Sequence, residues 1–284
     1  MIVRLAGTNK IALKETMMRF LSKLLPGIFH KQKPRIGLAL GGGGALGAAH
    51  IGVLKAFAEL NIPVHAVTGT SIGALVGGLY AFGKSCEELE EIALDMSWME
   101  VAGITLSRFG ILSNSRLYDL VGEQLNEVRI ENATIPFAAI ATDIASGEKV
   151  ILDSGWLHEA VAASTCIPGV FVPIELNGRM LVDGGIVENV PLSPLRGMGA
   201  DFLIAVDLNG KWEPQRPEGI IDVLSNSFHF TFQAATNAII QQADLVIQPE
   251  LTGFGRTDMG NAEALIEAGY KSAMEAVQGL KRLK

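Results

Sequence analysis

Two cysteines, Cys86 and Cys166, are all the thiols in 284 residues, too few for a disulfide framework or a four-thiolate zinc site. Both read as small buried apolar side chains in a fold indifferent to redox. Proline is scarce at 11, and the 32 glycines follow no three-residue period. A collagen-like chain is thereby excluded, and tight backbone turns remain as the use for glycine. Charged residues make up 19% against 49% hydrophobic, so the chain is not disordered and can bury a sizeable core. Long apolar runs suited to a membrane are also missing. Residues 36–54 and 60–83 lack Asp, Glu, Lys and Arg, but the first holds seven glycines and the second holds Pro63 and five glycines. Both read as buried strand, turn and helix. No uncharged N-terminal run is long enough for the apolar core of a secretory signal, so a cytoplasmic chain is expected.

The net charge of −7 is unevenly spread: residues 1–35 contribute +7 and the remainder −14. The acidic body should repel nucleic acid. Near the start, Leu13, Met17, Phe20, Leu21, Leu24 and Ile28 fall on one helical face, with Arg19, Ser22 and Lys23 opposite. That is the pattern of a basic amphipathic helix. Such a helix over residues 10–29 suits the anionic inner face of a membrane, its own domain or a partner subunit, or an organelle-targeting presequence, and all three stay open. A homo-oligomer is compatible with the sequence. The expected division is an extension and linker over 1–34 and one folded domain over 35–284.

From Arg35 the pattern alternates. Ile36–Leu40 predicts a strand, Gly41–Gly44 a loop and Ala45–Leu60 a helix. Val64–Val67, the turn Gly69–Gly73 and Ala74–Phe82 repeat that unit, which predicts neighbouring parallel strands. Ser85 with Glu88 is a capping box opening a third helix that runs to Met96. Further strands are expected at 137–141, 150–152, 180–182, 202–206 and 245–247, and helices at 157–163, 222–243 and 262–280.

Gly69-Thr70-Ser71-Ile72-Gly73 is a G-x-S-x-G between strand and helix. In that context it is a candidate nucleophile elbow, where glycines permit a sharp turn and clear the approach to Ser71. Gly42-Gly43-Gly44-Ala45-Leu46-Gly47 also follows a strand and opens a helix, as a dinucleotide-binding loop would. That reading needs an acid about twenty residues on for the ribose, and the second strand offers His65 and no acid. The same loop can instead aim backbone N–H groups at developing negative charge, so Gly42, Gly43 and Gly44 are candidate oxyanion donors, Gly43 and Gly44 foremost. A serine needs a base. His50 and His65 sit in apolar patterns typical of core histidines, His158 and His229 are expected on helix surfaces, and His30 lies in the extension. Asp183, directly after an apolar strand and before Gly184 and Gly185, is the alternative base. Alone, Asp-Gly-Gly would pass for an ordinary turn.

Together these motifs resemble the patatin-like phospholipase family over roughly 35–270. The resemblance implies an α/β fold, a three-layer α/β/α sandwich with a mostly parallel central sheet, and a Ser71/Asp183 dyad without histidine. It also implies Gly42–Gly47 as the oxyanion loop and phospholipid or another lipid ester as substrate. The stretches 164–171 and 189–192 are similar to bacterial members. One position departs: the family often carries Arg or Lys where this chain has Leu46.

The resulting expectation is a phospholipase A or lysophospholipase that forms an acyl-Ser71 intermediate. Asp143, Asp153, Asp183 and Asp207 are dispersed in the sequence without a His/Cys set, so no metal or cofactor is expected. Two alternatives are carried forward. One is an α/β-hydrolase esterase using Ser71, Asp207 or Asp183, and His229 in that chain order. The other is a non-catalytic, membrane-associated regulatory protein on the same fold.

Overall fold

The β-branched and apolar run Ile36–Leu40 forms β1, and the glycines after it turn the chain through a 3-10 turn (Gly44–Gly47) into α1 (Ala48–Glu59). The computed structural model describes residues 34–96, 103–104, 107, 109–113, 115–211 and 216–282. The amphipathic helix expected within 10–29 lies outside the described residues. Beyond α1 the order is β2 (Val64–Thr70), α2 (Ile72–Ala81), α3 (Cys86–Asp95), β3 (Gly103–Ile104), β4 (Gly110–Ser113) and α4 (Ser115–Leu125). There follow β5 (Phe137–Asp143), β6 (Lys149–Leu152), α5 (Leu157–Ser164), β7 (Gly169–Phe171), β8 (Ile174–Leu176), β9 (Arg179–Asp183) and α6 (Gly185–Glu188). The chain closes with β10 (Phe202–Val206), α7 (Ile220–Ile240), β11 (Leu245–Ile247) and α8 (Ala262–Arg282).

The main sheet runs β11-β10-β1-β2-β5-β9-β8, with β6 also on β5. Pairs from β11 through β5 are parallel, and those joining β5 to β6, β5 to β9 and β9 to β8 are antiparallel. Side chains alternate across β1: Leu38 and Leu40 enter one core with α1, α2 and α8, while Ala39 enters a second with Val190, Leu192 and Leu203. A sheet apolar on both faces must be covered twice, which makes the three layers.

Local chemistry explains the element ends. The Ser85 hydroxyl accepts from the Glu88 amide at 3.2 Å and the Glu88 carboxylate accepts from the Ser85 amide at 2.8 Å, a capping box at the start of α3. Helices α1 and α8 meet backbone to backbone because a Cβ on Gly52 would lie 1.8 Å from the Ile266 carbonyl oxygen, and one on Gly269 1.9 Å from that of Ala49.

The structure corrects three details. The helix expected from Ala45 begins as the 3-10 turn, because Gly44 at φ +61° lets the chain tighten there. The small sheet β3-β4-β7 was not expected, and neither was helix α4, although Leu117, Leu120, Val121 and Leu125 share one of its faces. His158, expected on a surface, is buried on α5, its ring 4.0 Å from that of Tyr118 and stacked 5.9 Å from Trp156.

Candidate active site

Register brings the serine and the acid together. Strand β2 ends with Thr70 against Ile140 of β5, and β9 ends with Asp183 against Ala141, the next residue of that strand. Ser71 and Asp183 therefore meet over one position of β5, close enough for the Ser71 hydroxyl to pull the Asp183 carboxyl downward.

Ser71 is the N-cap of α2 with φ 55° and ψ −126°, a strained backbone for a residue with a side chain. Its glycines are required by close approach. A Cβ on Gly69 would stand 2.3 Å from the Gly73 carbonyl oxygen, and one on Gly73 2.1 Å from that of Leu40. The turn is also tied from outside: the Ser71 N–H donates to the Ser164 hydroxyl at 2.9 Å, which donates onward to the Ile140 carbonyl at 2.6 Å.

Asp183 is buried. Burial pushes its carboxyl from the ordinary 3.8 up to about 6, against the lowering pull of bonds from Ser71 and from the Gly185 N–H at 2.8 Å. Gly184 allows the close turn, since its Cβ would lie 2.2 Å from the Ile140 carbonyl oxygen. The Asp183 N–H donates to the Cys166 carbonyl at 2.8 Å, and the buried Cys166 thiol is pushed up to about 12 by desolvation.

The glycine loop is pinned peptide by peptide. His50 Nε2 donates to the Gly41 carbonyl at 2.7 Å, and the Gly42 N–H donates to the Asn189 carbonyl at 3.1 Å. Asn209 Nδ2 donates to the Gly42 carbonyl at 2.9 Å, and the Ala45 N–H donates to the Arg256 carbonyl at 2.8 Å. The Gly42 amide is thus already committed, which corrects its placement among the oxyanion donors. Gly43 and Gly44 remain, at a helical start where amides lack an in-helix acceptor. Gly47 has a packing role, its Cβ position lying 2.1 Å from Ile72 Cγ1. Leu46, at the position where a cation was expected, is fully buried in the apolar core.

No described histidine takes the base position. His50 is buried and pushed down to about 4 by desolvation, so it is neutral and serves the loop. His65 Nδ1 accepts from the Ile36 N–H at 3.0 Å and links β2 to β1. The His229 side chain lies outside what is described. Among the described residues no group of three His, Cys, Asp or Glu side chains is placed to hold a metal ion.

Ser71, Asp183 and Gly42–Gly44 open onto a cavity of about 550 Å³ whose lining includes the apolar Leu112, Ile167, Val170, Ile220 and Phe232. The sequence reasoning had no role for Ser164, Asn209 or Arg256. Ser164 lay within a stretch similar to bacterial members, whereas Asn209 and Arg256 carried no local signal.

A serine on a strained turn after the parallel strand β2 thus stands beside a buried carboxylate at the end of the antiparallel strand β9, on an α/β sheet. Residues 38–196 match the sequence model of the patatin-like phospholipase family, more than half of the chain, and the chain belongs to that family. It is 41% identical over 180 residues to an uncharacterized NTE family protein of Mycobacterium tuberculosis, covering 62% of this chain and 50% of that one. It is 30% identical over 301 residues to lysophospholipase nte1 of Emericella nidulans, covering 90% of this chain and 19% of that protein. The chain therefore spans half or less of these relatives' length. VipD from Legionella pneumophila is similar in fold, with a TM-score of 0.53 at 13% identity over 92% of this chain and 73% of that one.

Proposed function

We propose that this chain is a serine lipid acyl hydrolase of phospholipase A or lysophospholipase type, with Ser71 as nucleophile and Asp183 as base. The observation that carries the reading is the juxtaposition of Ser71 and the buried Asp183 carboxylate, at the ends of β2 and β9, on one largely apolar cavity. A lipid acyl chain matches that cavity wall, and relatives named as lysophospholipases support the ester class.

In the first half-reaction Ser71 Oγ attacks the acyl carbonyl carbon while Asp183 accepts the hydroxyl proton, and the Gly43 and Gly44 amides stabilise the oxyanion. Protonated Asp183 then gives its proton to the leaving alkoxide. In the second half-reaction Asp183 takes a proton from water as that water attacks the acyl-serine, then returns it to Ser71 Oγ as the acyl–oxygen bond breaks and the fatty acid leaves. A carboxyl raised to about 6 remains far weaker as a base than serine alkoxide, so proton transfer accompanies attack and does not precede it.

The same reading covers delivery of substrate from a membrane surface. Helix α7 lines the cavity with Phe232, Gln233 and Thr236, while Ile220, Val223 and Phe230 are 67%, 49% and 61% exposed. Among the described residues no helix is long and apolar enough to cross a membrane. The hydrolase is assigned to 35–284, with 1–34 as an accessory extension.

Lipid mass spectrometry after incubation with mixed phospholipids tests the proposal, comparing wild type with Ser71→Ala. Release of free fatty acid by wild type and its loss in the variant is the expected result. A wild type that releases none, and that a fluorophosphonate probe does not label, would favour the non-catalytic reading.

A further inference from the structure

Beyond the dyad, two loops far apart in sequence, after β10 and after β11, converge on the glycine loop. They lie outside residues 38–196, the stretch that the family model matches. Asn209, after β10, donates through Nδ2 to the Gly42 carbonyl at 2.9 Å, and its own N–H donates to Asp207 Oδ1 at 3.0 Å. Arg256, after β11, donates through Nη2 to Asn209 Oδ1. Asp207 is fully buried, accepts from Gln248 Nε2 at 3.0 Å, and attracts the Arg256 guanidinium.

The planarity of the peptide gives this chain of bonds a consequence. The Gly42 carbonyl and the Gly43 N–H belong to one rigid unit and point in opposite directions. Whatever fixes the carbonyl therefore aims the amide. Asn209 fixes the Gly42 carbonyl on its own side, so the Gly43 N–H faces the opposite side of that peptide. A side-chain amide presents either its oxygen or its nitrogen, and a guanidinium only donates. Arg256 thus obliges Asn209 to turn its oxygen outward and its NH2 toward Gly42.

We infer that Asn209, with its amide oriented by Arg256, is a positioning residue that aims the Gly43 N–H at the oxyanion. Neither side chain needs to touch the reacting atoms. The inference rests on the serine hydrolase reading above.

The test uses the full chain, a soluble p-nitrophenyl ester, a trifluoromethyl ketone that forms a tetrahedral serine adduct, and a non-cleavable ether lipid. Asn209→Asp keeps size and the Arg256 contact but lacks the NH2 donor. It should lower kcat by roughly a hundredfold with KM within about twofold, as for loss of one oxyanion donor. Ketone affinity should fall by a similar factor and ether-lipid binding should hold. Arg256→Met should lower kcat by roughly tenfold, with Arg256→Lys restoring most of it as another pure donor. If Asn209→Asp is unstable, the Arg256 pair carries the test. Unchanged kcat in folded Asn209→Asp, a rise in KM alone, or equal losses in Arg256→Met and Arg256→Lys would overturn the inference. A wild type that neither turns over the ester nor reacts with fluorophosphonate would overturn the hydrolase reading instead.

Discussion

The N–H of Ser71 donates to the hydroxyl of Ser164 at 2.9 Å, so the residue proposed as nucleophile is held by a second serine at the end of α5. That hydroxyl is buried and donates in turn to the Ile140 carbonyl at 2.6 Å, the position on β5 opposite the end of β2. A strained turn persists only when its surroundings over-determine it, and this bond is part of that constraint.

Ser164→Ala removes one acceptor and one donor together. Leaving the Ser71 N–H and the Ile140 carbonyl unsatisfied should cost about 1–3 kcal/mol, read as a lower urea midpoint at unchanged slope. A small shift of Ser71 should also slow reaction with fluorophosphonate by roughly 10- to 100-fold. Labelling at the wild-type rate would show that Ser71 keeps its conformation without Ser164.

Gly73→Ala should be far more damaging than its one added methyl group suggests. The new Cβ would stand 2.1 Å from the Leu40 carbonyl oxygen and 2.8 Å from that of Gly41, both rigid backbone of β1 and its loop. Several kcal/mol and loss of soluble expression are expected. Gly122→Ala on α4 is the control: nothing lies within 4 Å of its Cβ position, and a helix-interior glycine replaced by alanine should gain about 0.5–1 kcal/mol. Equal stability of the two variants by thermal melting would refute the steric account.

His229→Ala separates the dyad from a Ser-Asp-His triad. With Asp183 beside Ser71 as its base, ester turnover should stay within roughly twofold of wild type. A triad enzyme would lose roughly ten thousandfold on removal of its imidazole. His50→Leu provides a contrast: it removes the donor to the Gly41 carbonyl and should lower kcat through the loop. Collapse of activity in His229→Ala would return the esterase alternative.

The parts of this molecule legible in its sequence are those whose cause is local. Strand runs such as Ile36–Leu40, the Ser85/Glu88 box and the glycines around Ser71 each announce a backbone geometry within a few residues. Asp183 was legible only in combination, since Asp-Gly-Gly by itself describes many turns. Asn209 and Arg256 were not legible, because what matters is that the ends of β10 and β11 lie beside the glycine loop, a fact of sheet order. Gly42 was misplaced for the same reason: a glycine in an oxyanion loop looks like a donor until its amide is seen spent on the Asn189 carbonyl. His158 shows the limit of helical periodicity on a short element, where Tyr118 of α4 and Trp156 at the helix's own N-cap cover its ring.

Asp183 ties activity and stability to the same proton. Its carboxyl, raised by burial to about 6, must be ionised to accept the Ser71 proton, so kcat/KM should rise with pH, reach half its plateau near 6 and stay flat above. The stability effect runs the other way. A carboxyl whose folded value exceeds its unfolded value of about 3.9 binds more protons when folded between those two pH values. Native stability is therefore favoured below about pH 4, declines as pH rises through 6, and has lost the full increment above it. At 1.36 kcal/mol per unit, the rise from 3.8 to about 6 corresponds to about 3 kcal/mol. Asp183→Asn removes the ionisation while retaining an oxygen to accept from the Gly185 N–H. It should be inactive, more stable than wild type by up to about 3 kcal/mol at pH 8, and equal to it near pH 4. Urea unfolding of both proteins at pH 4, 5, 6 and 8 measures the difference. A gap that does not widen with pH would mean that Asp183 is not the desolvated base.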